Sequence, residues 1–236
     1  MLKKVCFLSL VVGLMCGCGI HKATLKENYF HDTCDQKLPL KVALLKPHIE
    51  STKTGSLNFG ITHIDSKEPW ATCPGVHFIY VDEALVASLT SMLACHFERV
   101  TLIDGPDKAA EDDDLLAYSE YLMKITYRLP TTFTSEEANL ELAFMKRDDS
   151  IIASYDINNS VGGTQAIGTQ ICAGILSGCT LRLAEPALMP WVESANNKAC
   201  EEAIANNIST SVAQLNKFLS ESLANDPIWT QQKHEE

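Results

Sequence analysis

The sequence has no uninterrupted apolar stretch of about 20 residues, the length that a helix needs to cross a bilayer. It also lacks the Gly-x-Ser-x-Gly elbow of many hydrolases, the His-Glu-x-x-His zinc motif, and a glycine-rich phosphate-binding loop followed by Lys and Ser or Thr. Acidic residues outnumber Lys and Arg by 30 to 19, and no basic cluster follows the first few residues. These absences argue against an enzyme, and the negative charge argues against nucleic acid and anionic lipid headgroups as partners.

The first residues have the organisation of an export signal. Two lysines at positions 3 and 4 precede a short apolar core over residues 5–15, which ends in small residues and cysteine. This core is too short to anchor the chain in a membrane by itself. The pattern therefore predicts a cleaved signal peptide over residues 1–17.

The cysteine at the end of this signal resembles the modified cysteine of the bacterial lipobox. Gly17 supplies the small residue that the lipobox places before the cysteine, here Cys18. Cys16 is the alternative site, but Met15 would then occupy the small-residue position. The resemblance implies that Cys18 carries a diacylglycerol and an N-acyl chain, which together anchor the protein firmly. Gly19, in place of Asp, implies the periplasmic face of the outer membrane, with surface exposure as an alternative.

Cysteines in the exported part of the chain are even in number once Cys18 is lipidated. They are Cys34, Cys73, Cys95, Cys172, Cys179 and Cys200. An even set in an exported chain predicts disulfides, although the sequence leaves their connectivity open. None of the Cys and His spacings matches the paired short spacing of a zinc site, so no metal is expected. No cofactor is expected besides the lipid on Cys18.

The remaining chain reads as one α+β domain, with an antiparallel-rich sheet and helices packed on one face, preceded by the signal peptide and a flexible tether. The predicted boundaries are 18–38 for the lipidated tether, 39–225 for the domain, 46–75 for a long loop, 161–192 for a Gly-rich insertion and 226–236 for a disordered tail. Within the domain, Asp82 is expected to cap an amphipathic helix. A second helix is expected from about Ser194 to Leu223, and the acidic run Glu111 to Asp114 is expected to be a solvated loop.

Three segments between residues 121 and 157 alternate apolar and polar side chains with a period of two. This pattern predicts antiparallel strands with one covered face and one polar face. The polar face carries Lys124, Arg128, Glu141 and Asp156, which we take as a candidate partner surface.

The order of these elements resembles a group of envelope lipoproteins that includes the N-terminal domain of TolB, CsgG, LpoB and the YajG-like proteins. Four segments carry the resemblance, namely Lys41 to Leu45, Ala84 to Ile103, Leu140 to Ile157 and Ala199 to Leu219. The resemblance implies a noncatalytic binding or assembly protein whose partners are envelope proteins. The expected function is an adaptor or accessory subunit of an envelope assembly, secretion or transport complex. The alternative is an oligomeric channel or secretion lipoprotein that inserts residues 161–192 into the membrane.

Overall fold

The computed structural model describes residues 20–34, 37–54, 61–63, 76–128, 132–148, 150–162, 185–226 and 229. Its elements are β1 (Ile20–Thr24), β2 (Leu38–Leu45), β3 (His48–Thr54), β4 (Ile61–His63), β5 (Val76–Tyr80), α1 (Asp82–His96), β6 (Phe97–Ile103), β7 (Leu115–Arg128), β8 (Thr132–Met145), β9 (Ile151–Gly162) and α2 (Glu185–Asn225). The signal peptide, Cys18, Cys73, Cys172 and Cys179 lie outside the described residues. The predicted α+β class is confirmed.

The larger sheet has the strand order β6-β2-β7-β8-β9, and β3 pairs with β7 beyond the end of β2. Its first part is parallel, whereas β7, β8 and β9 form an antiparallel meander. Pro47 separates β2 from β3, and proline cannot donate a ladder hydrogen bond. Both β2 and β3 pair with β7, and the ladder of hydrogen bonds is interrupted at Pro47 between them. A smaller parallel sheet contains β1, β5 and β4.

The core lies between one face of the larger sheet and the two helices. Helix α1 buries Leu85, Leu89 and Met92, and α2 buries Ile204, Ile208, Val212, Leu215 and Leu219 at the helical spacing. Leu140, Leu142 and Phe144 of β8 face them from the sheet. Full burial of each such side chain contributes about 1.5–3 kcal/mol, so this shared core is the main source of stability.

Three sequence predictions about secondary structure need correction. The segment 46–75 is not one loop, because it contains β3 and β4. Helix α2 begins at Glu185, earlier than Ser194, so the expected insertion 161–192 overlaps the end of β9 and the start of α2. Asp82 opens α1 as predicted, but the cap residue is Val81 and no side chain caps the helix.

The prediction of a disordered C-terminal tail is wrong at Trp229. Trp229 is 1% exposed and packs against Phe97 and Phe144, with ring centroids 6.1 and 5.3 Å away. Its indole Nε1 donates a hydrogen bond to Ser222 Oγ at 3.0 Å. The chain beyond α2 thus returns an aromatic side chain to the core.

Part of the segment expected as a tether is fastened to α1. The Asn28 amide donates to Ser91 Oγ, the Tyr29 backbone N–H donates to Ser88 Oγ, and Phe30 is buried. A disulfide then joins Cys34 to Cys95 on α1. The prediction of a disulfide is thus confirmed. The disulfide also fastens the N-terminal segment, which connects to the predicted lipidation site, to the domain.

A hydrogen-bonded chain next to the disulfide links three parts of the molecule. His96 Nε2, at the end of α1, lies 2.7 Å from Asn216 Oδ1 on α2. The Asn216 amide donates to the Asp32 carboxylate at 3.0 Å. The bond to the Asp32 carboxylate orients the Asn216 side chain so that its amide oxygen faces His96. His96 therefore donates a hydrogen bond from Nε2 to that oxygen. The N-terminal segment is therefore tied to both helices.

Candidate interaction surface

The polar face of the larger sheet lies opposite the helices. Alternation along β7 buries Tyr121 and Met123 and exposes Leu122 and Lys124. Cross-strand register extends this face over β3, β8 and β9, because directly opposed residues share a face. None of the described residues forms a helix on this side, so the face is open there.

A cleft of about 500 Å³ lies on this part of the sheet. Its lining includes Glu50, Leu122, Lys124, Glu137, Asn139 and Asn158. Three of these residues, Leu122, Asn139 and Asn158, are directly opposed across β7, β8 and β9. The cleft thus combines amide, carboxylate and ammonium groups with the apolar side chains of Leu122, Met123 and Ala138, which suits a segment that has both polar and apolar side chains.

The adjacent row across the sheet is acidic. It consists of His48, Glu120, Glu141 and Asp156, which follow one another across β3, β7, β8 and β9. His48 Nε2 lies 3.9 Å from Glu120 Oε1 and 3.1 Å from Glu50 Oε1. No Lys or Arg of the described residues forms an ion pair with Glu141 or Asp156. Like charges directly opposed in a sheet repel one another, and in this row His48 and hydrogen bonds from Ser154, Asn139 and Asn158 offset part of that repulsion.

Hydrogen bonds fix the side chains around this row. The Asn139 amide donates to Asp156 Oδ1 at 2.7 Å, and the Asn158 amide reaches the same oxygen at 3.1 Å. Lys124 Nζ lies 2.9 Å from Glu137 Oε2, so the one described lysine of this surface is already paired. The surface therefore presents an ordered and predominantly negative array.

The structure places three of the four residues predicted for a partner surface on the open face. Lys124, Glu141 and Asp156 share the open face, although Lys124 pairs with Glu137. Arg128 is the last residue of β7, and its side chain lies outside the described set. Sequence reasoning missed Glu50 and Glu137. Extending the alternation of β8 by two residues from Asn139 would have placed Glu137 on the same face.

The opposite, covered face contains a buried carboxyl that sequence reasoning also missed. Glu136 is 0% exposed, and neither of its oxygens has a hydrogen-bond partner among the described residues. Burial raises the pKa of Glu136 to about 8, and the nearby Asn207 side chain offsets part of that shift without forming a well-aligned hydrogen bond. Burial, and then the Glu136 charge, raise the pKa of Tyr121. Glu136 is therefore protonated at neutral pH.

The acidic run from Glu111 to Asp114 is not simply solvated, which corrects the prediction. Asp113 is 4% exposed, accepts from Arg99 Nη2 at 2.9 Å and accepts from the Ala110 backbone N–H at 2.7 Å. Asp112 forms a bidentate pair with Arg99, and hydrogen bonds from Arg99 and then Lys41 hold the pKa of Asp112 well below its usual range. The run is a structural clamp that joins the start of β7 to β2 and β6.

Within the described part of the chain, no group of three or more His, Cys, Asp or Glu residues could hold a metal ion. In that same part, no helix is both long and apolar enough to cross a membrane.

No family model matches the sequence, and no curated protein matches it. Among solved structures, a protein described as a neuraminyllactose-binding hemagglutinin homolog from Helicobacter pylori aligns over 84% of this chain and 100% of its own, with 12% identity and a TM-score of 0.35. A DUF330 protein from Xanthomonas campestris aligns over 92% of this chain and 100% of its own, with 9% identity and a TM-score of 0.36. At these TM-scores the likeness carries no argument about function.

Proposed function

We propose that this protein is a noncatalytic lipoprotein, anchored by lipid on Cys18 at the periplasmic face of the outer membrane, that acts as an adaptor or accessory subunit of an envelope complex. The observation that carries the proposal is the open face of the larger sheet, with its cleft of about 500 Å³. Antiparallel sheets with one covered face leave the other available for binding. The resemblance to envelope lipoproteins that assemble with other proteins points the same way.

The N-terminal region supports the proposed location. The signal-like residues 1–17 and the lipobox-like Gly17-Cys18 are features of lipidated exported proteins. The Cys34–Cys95 disulfide is consistent with an oxidising compartment. The contacts of Asn28, Tyr29 and Cys34 with α1 hold the domain close to its anchor, since only a short stretch of chain separates Cys18 from Asn28.

Site-specific photo-crosslinking in cells tests the function. A photoreactive amino acid replaces Leu122, which is 37% exposed on the open sheet face, and in a matched control it replaces Phe218, which is 47% exposed on α2. The expected result is a discrete crosslinked envelope protein from position 122 and none from position 218. Equal crosslinking from both positions, or none from position 122 in membranes that retain the protein, would remove the proposal.

A further inference from the structure

Two features of the larger sheet meet at β9. The first is the acidic row, in which Glu120, Glu141 and Asp156 are directly opposed on three adjacent strands. Neighbouring strands lie about 4.8 Å apart, so these carboxylates are close enough to repel one another. The row ends at Asp156, on the outermost strand that the described residues form in this sheet. A cation beyond Asp156 would relieve the repulsion.

The second feature is the outer edge of β9. This strand runs for 12 residues, and its only pairing with described residues is to β8. Proteins usually protect such edges with Lys, Pro, bulges or short strands. Strand β9 contains no Lys, Arg or Pro, carries one charge at Asp156, and has its only register irregularity near its first residue. An edge of this length offers a row of backbone donors and acceptors to another strand.

We propose that the edge of β9 accepts an extended strand of a partner protein in which Lys or Arg alternates with uncharged residues. The added strand forms ladder hydrogen bonds with β9, and one of its cations stands opposite Asp156, where the acidic row ends. The aliphatic stems of its Lys or Arg side chains lie along the neighbouring cleft, next to Asn158 and Ser160 of β9. This inference rests on the proposed function and names the chemistry of the partner.

Charge and geometry exclude other occupants of this site. An anionic lipid headgroup or a phosphate would be repelled by the three carboxylates. A metal ion is disfavoured, because no group of three or more acidic or Cys and His residues in the described chain converges on one point. A basic strand satisfies both the charge of the row and the hydrogen-bonding groups of the edge.

The test uses mature protein extracted from membranes in nonionic detergent, with two short synthetic peptides as probes. One peptide alternates lysine and threonine, and the other alternates glutamate and threonine. Binding is measured by fluorescence anisotropy at low and at high salt, and amide hydrogen exchange is followed over residues 151–162 of β9. Exchange over residues 97–103 of β6, the opposite edge of the sheet, is the internal control.

The lysine peptide is expected to bind, to weaken with salt, and to slow exchange in β9 but not in β6. The double variant E141Q/D156N is expected to bind it about fivefold more weakly, because the ion pair with Asp156 and the charge of the adjacent Glu141 together contribute roughly 1 kcal/mol. The matched variant E98Q/D104N removes two exposed charges near the β6 edge and is expected to bind as the natural protein does.

Equal binding of the two peptides, or slowed exchange in β6 instead of β9, would overturn the inference, as would an equal loss of affinity in both double variants. Failure of the inference is distinguishable from failure of the proposed function. Crosslinking from position 122 together with no binding of the lysine peptide removes only the inference. Selective binding of the lysine peptide together with no crosslinked partner in cells removes only the function.

Discussion

Replacing Glu136 with Gln is expected to stabilise the protein at neutral and alkaline pH. The glutamine has nearly the same shape as the protonated carboxyl but cannot ionise. Glu136 is fully buried between β8 and α2, and its pKa is raised from 4.5 to about 8. In the unfolded chain it ionises in water, whereas in the folded protein it must keep its proton or carry an unpaired buried charge.

The sign and size of the effect follow from linkage. Because the folded state holds the proton more tightly, stability falls as pH rises from about 4.5 to about 8 and is constant outside that window. One pKa unit corresponds to about 1.4 kcal/mol, so this group costs about 3 kcal/mol at pH 7. The glutamine variant avoids this cost. We therefore expect it to exceed the natural protein in free energy of unfolding by about 3 kcal/mol at pH 7 and by almost nothing at pH 4.

Urea unfolding followed by circular dichroism at acid, neutral and alkaline pH measures the difference. The neighbouring Glu137 provides the control, since its side chain is 52% exposed and pairs with Lys124 on the open face. Glu137→Gln is expected to change the free energy of unfolding by less than about 1 kcal/mol at every pH. A difference between natural protein and Glu136→Gln that does not grow with pH would refute the reasoning.

Three further predictions concern the disulfide, the clamp and the tail. The C34S/C95S variant opens a loop of 61 residues and is expected to lose up to about 4 kcal/mol in urea unfolding under oxidising conditions; an unchanged midpoint would contradict this. Asp113→Asn weakens the bond to Arg99 and is expected to cost about 2 kcal/mol, whereas Asp107→Asn, at an exposed pair, should cost little in the same assay. Trp229→Ala should cost about 3–5 kcal/mol in thermal unfolding, and a disordered tail would instead leave the melting temperature unchanged.

The spacing of apolar residues along the sequence predicted those strands and helices that bury one side against the core. The alternation around Tyr121, Leu140 and Ile157 identified the meander and its polar side, and the stripe containing Ile204 and Ile208 identified the terminal helix. These patterns depend only on residues near one another in the chain, because burial of one face repeats with the period of the element.

Features that depend on distant contacts were not predictable in this way. Strand β3 reads His-Ile-Glu-Ser-Thr-Lys-Thr, with one apolar residue, and becomes a strand because β7 extends far enough to pair with it. The early start of α2 was hidden by Pro186 and Pro190, which disfavour a helix by composition. The partner of Cys34 lies 61 residues away, and nothing in the spacing selects it.

Within the candidate site, the polar face was predictable but its organisation was not. Glu141 and Asp156 were identified by alternation, yet their alignment with Glu120 depends on the register of three strands. Glu136 was missed because its neighbours Ser135 and Glu137 are also polar, which obscures the alternation at the start of β8. Single-strand patterns show which side a residue occupies, and strand pairing decides what it faces.

The proposed location, the oxidising compartment and the envelope partners all depend on lipidation at Cys18. Intact-mass measurement and detergent phase partitioning of the membrane-extracted protein, beside a Cys18→Ser variant, test it most directly. We expect a mature chain that starts at Cys18 and carries the mass of its acyl groups, with both the added mass and the detergent partitioning lost in the variant. A chain that retains residues 1–17 and partitions into the aqueous phase would show that Cys18 is not lipidated and would remove the proposed location.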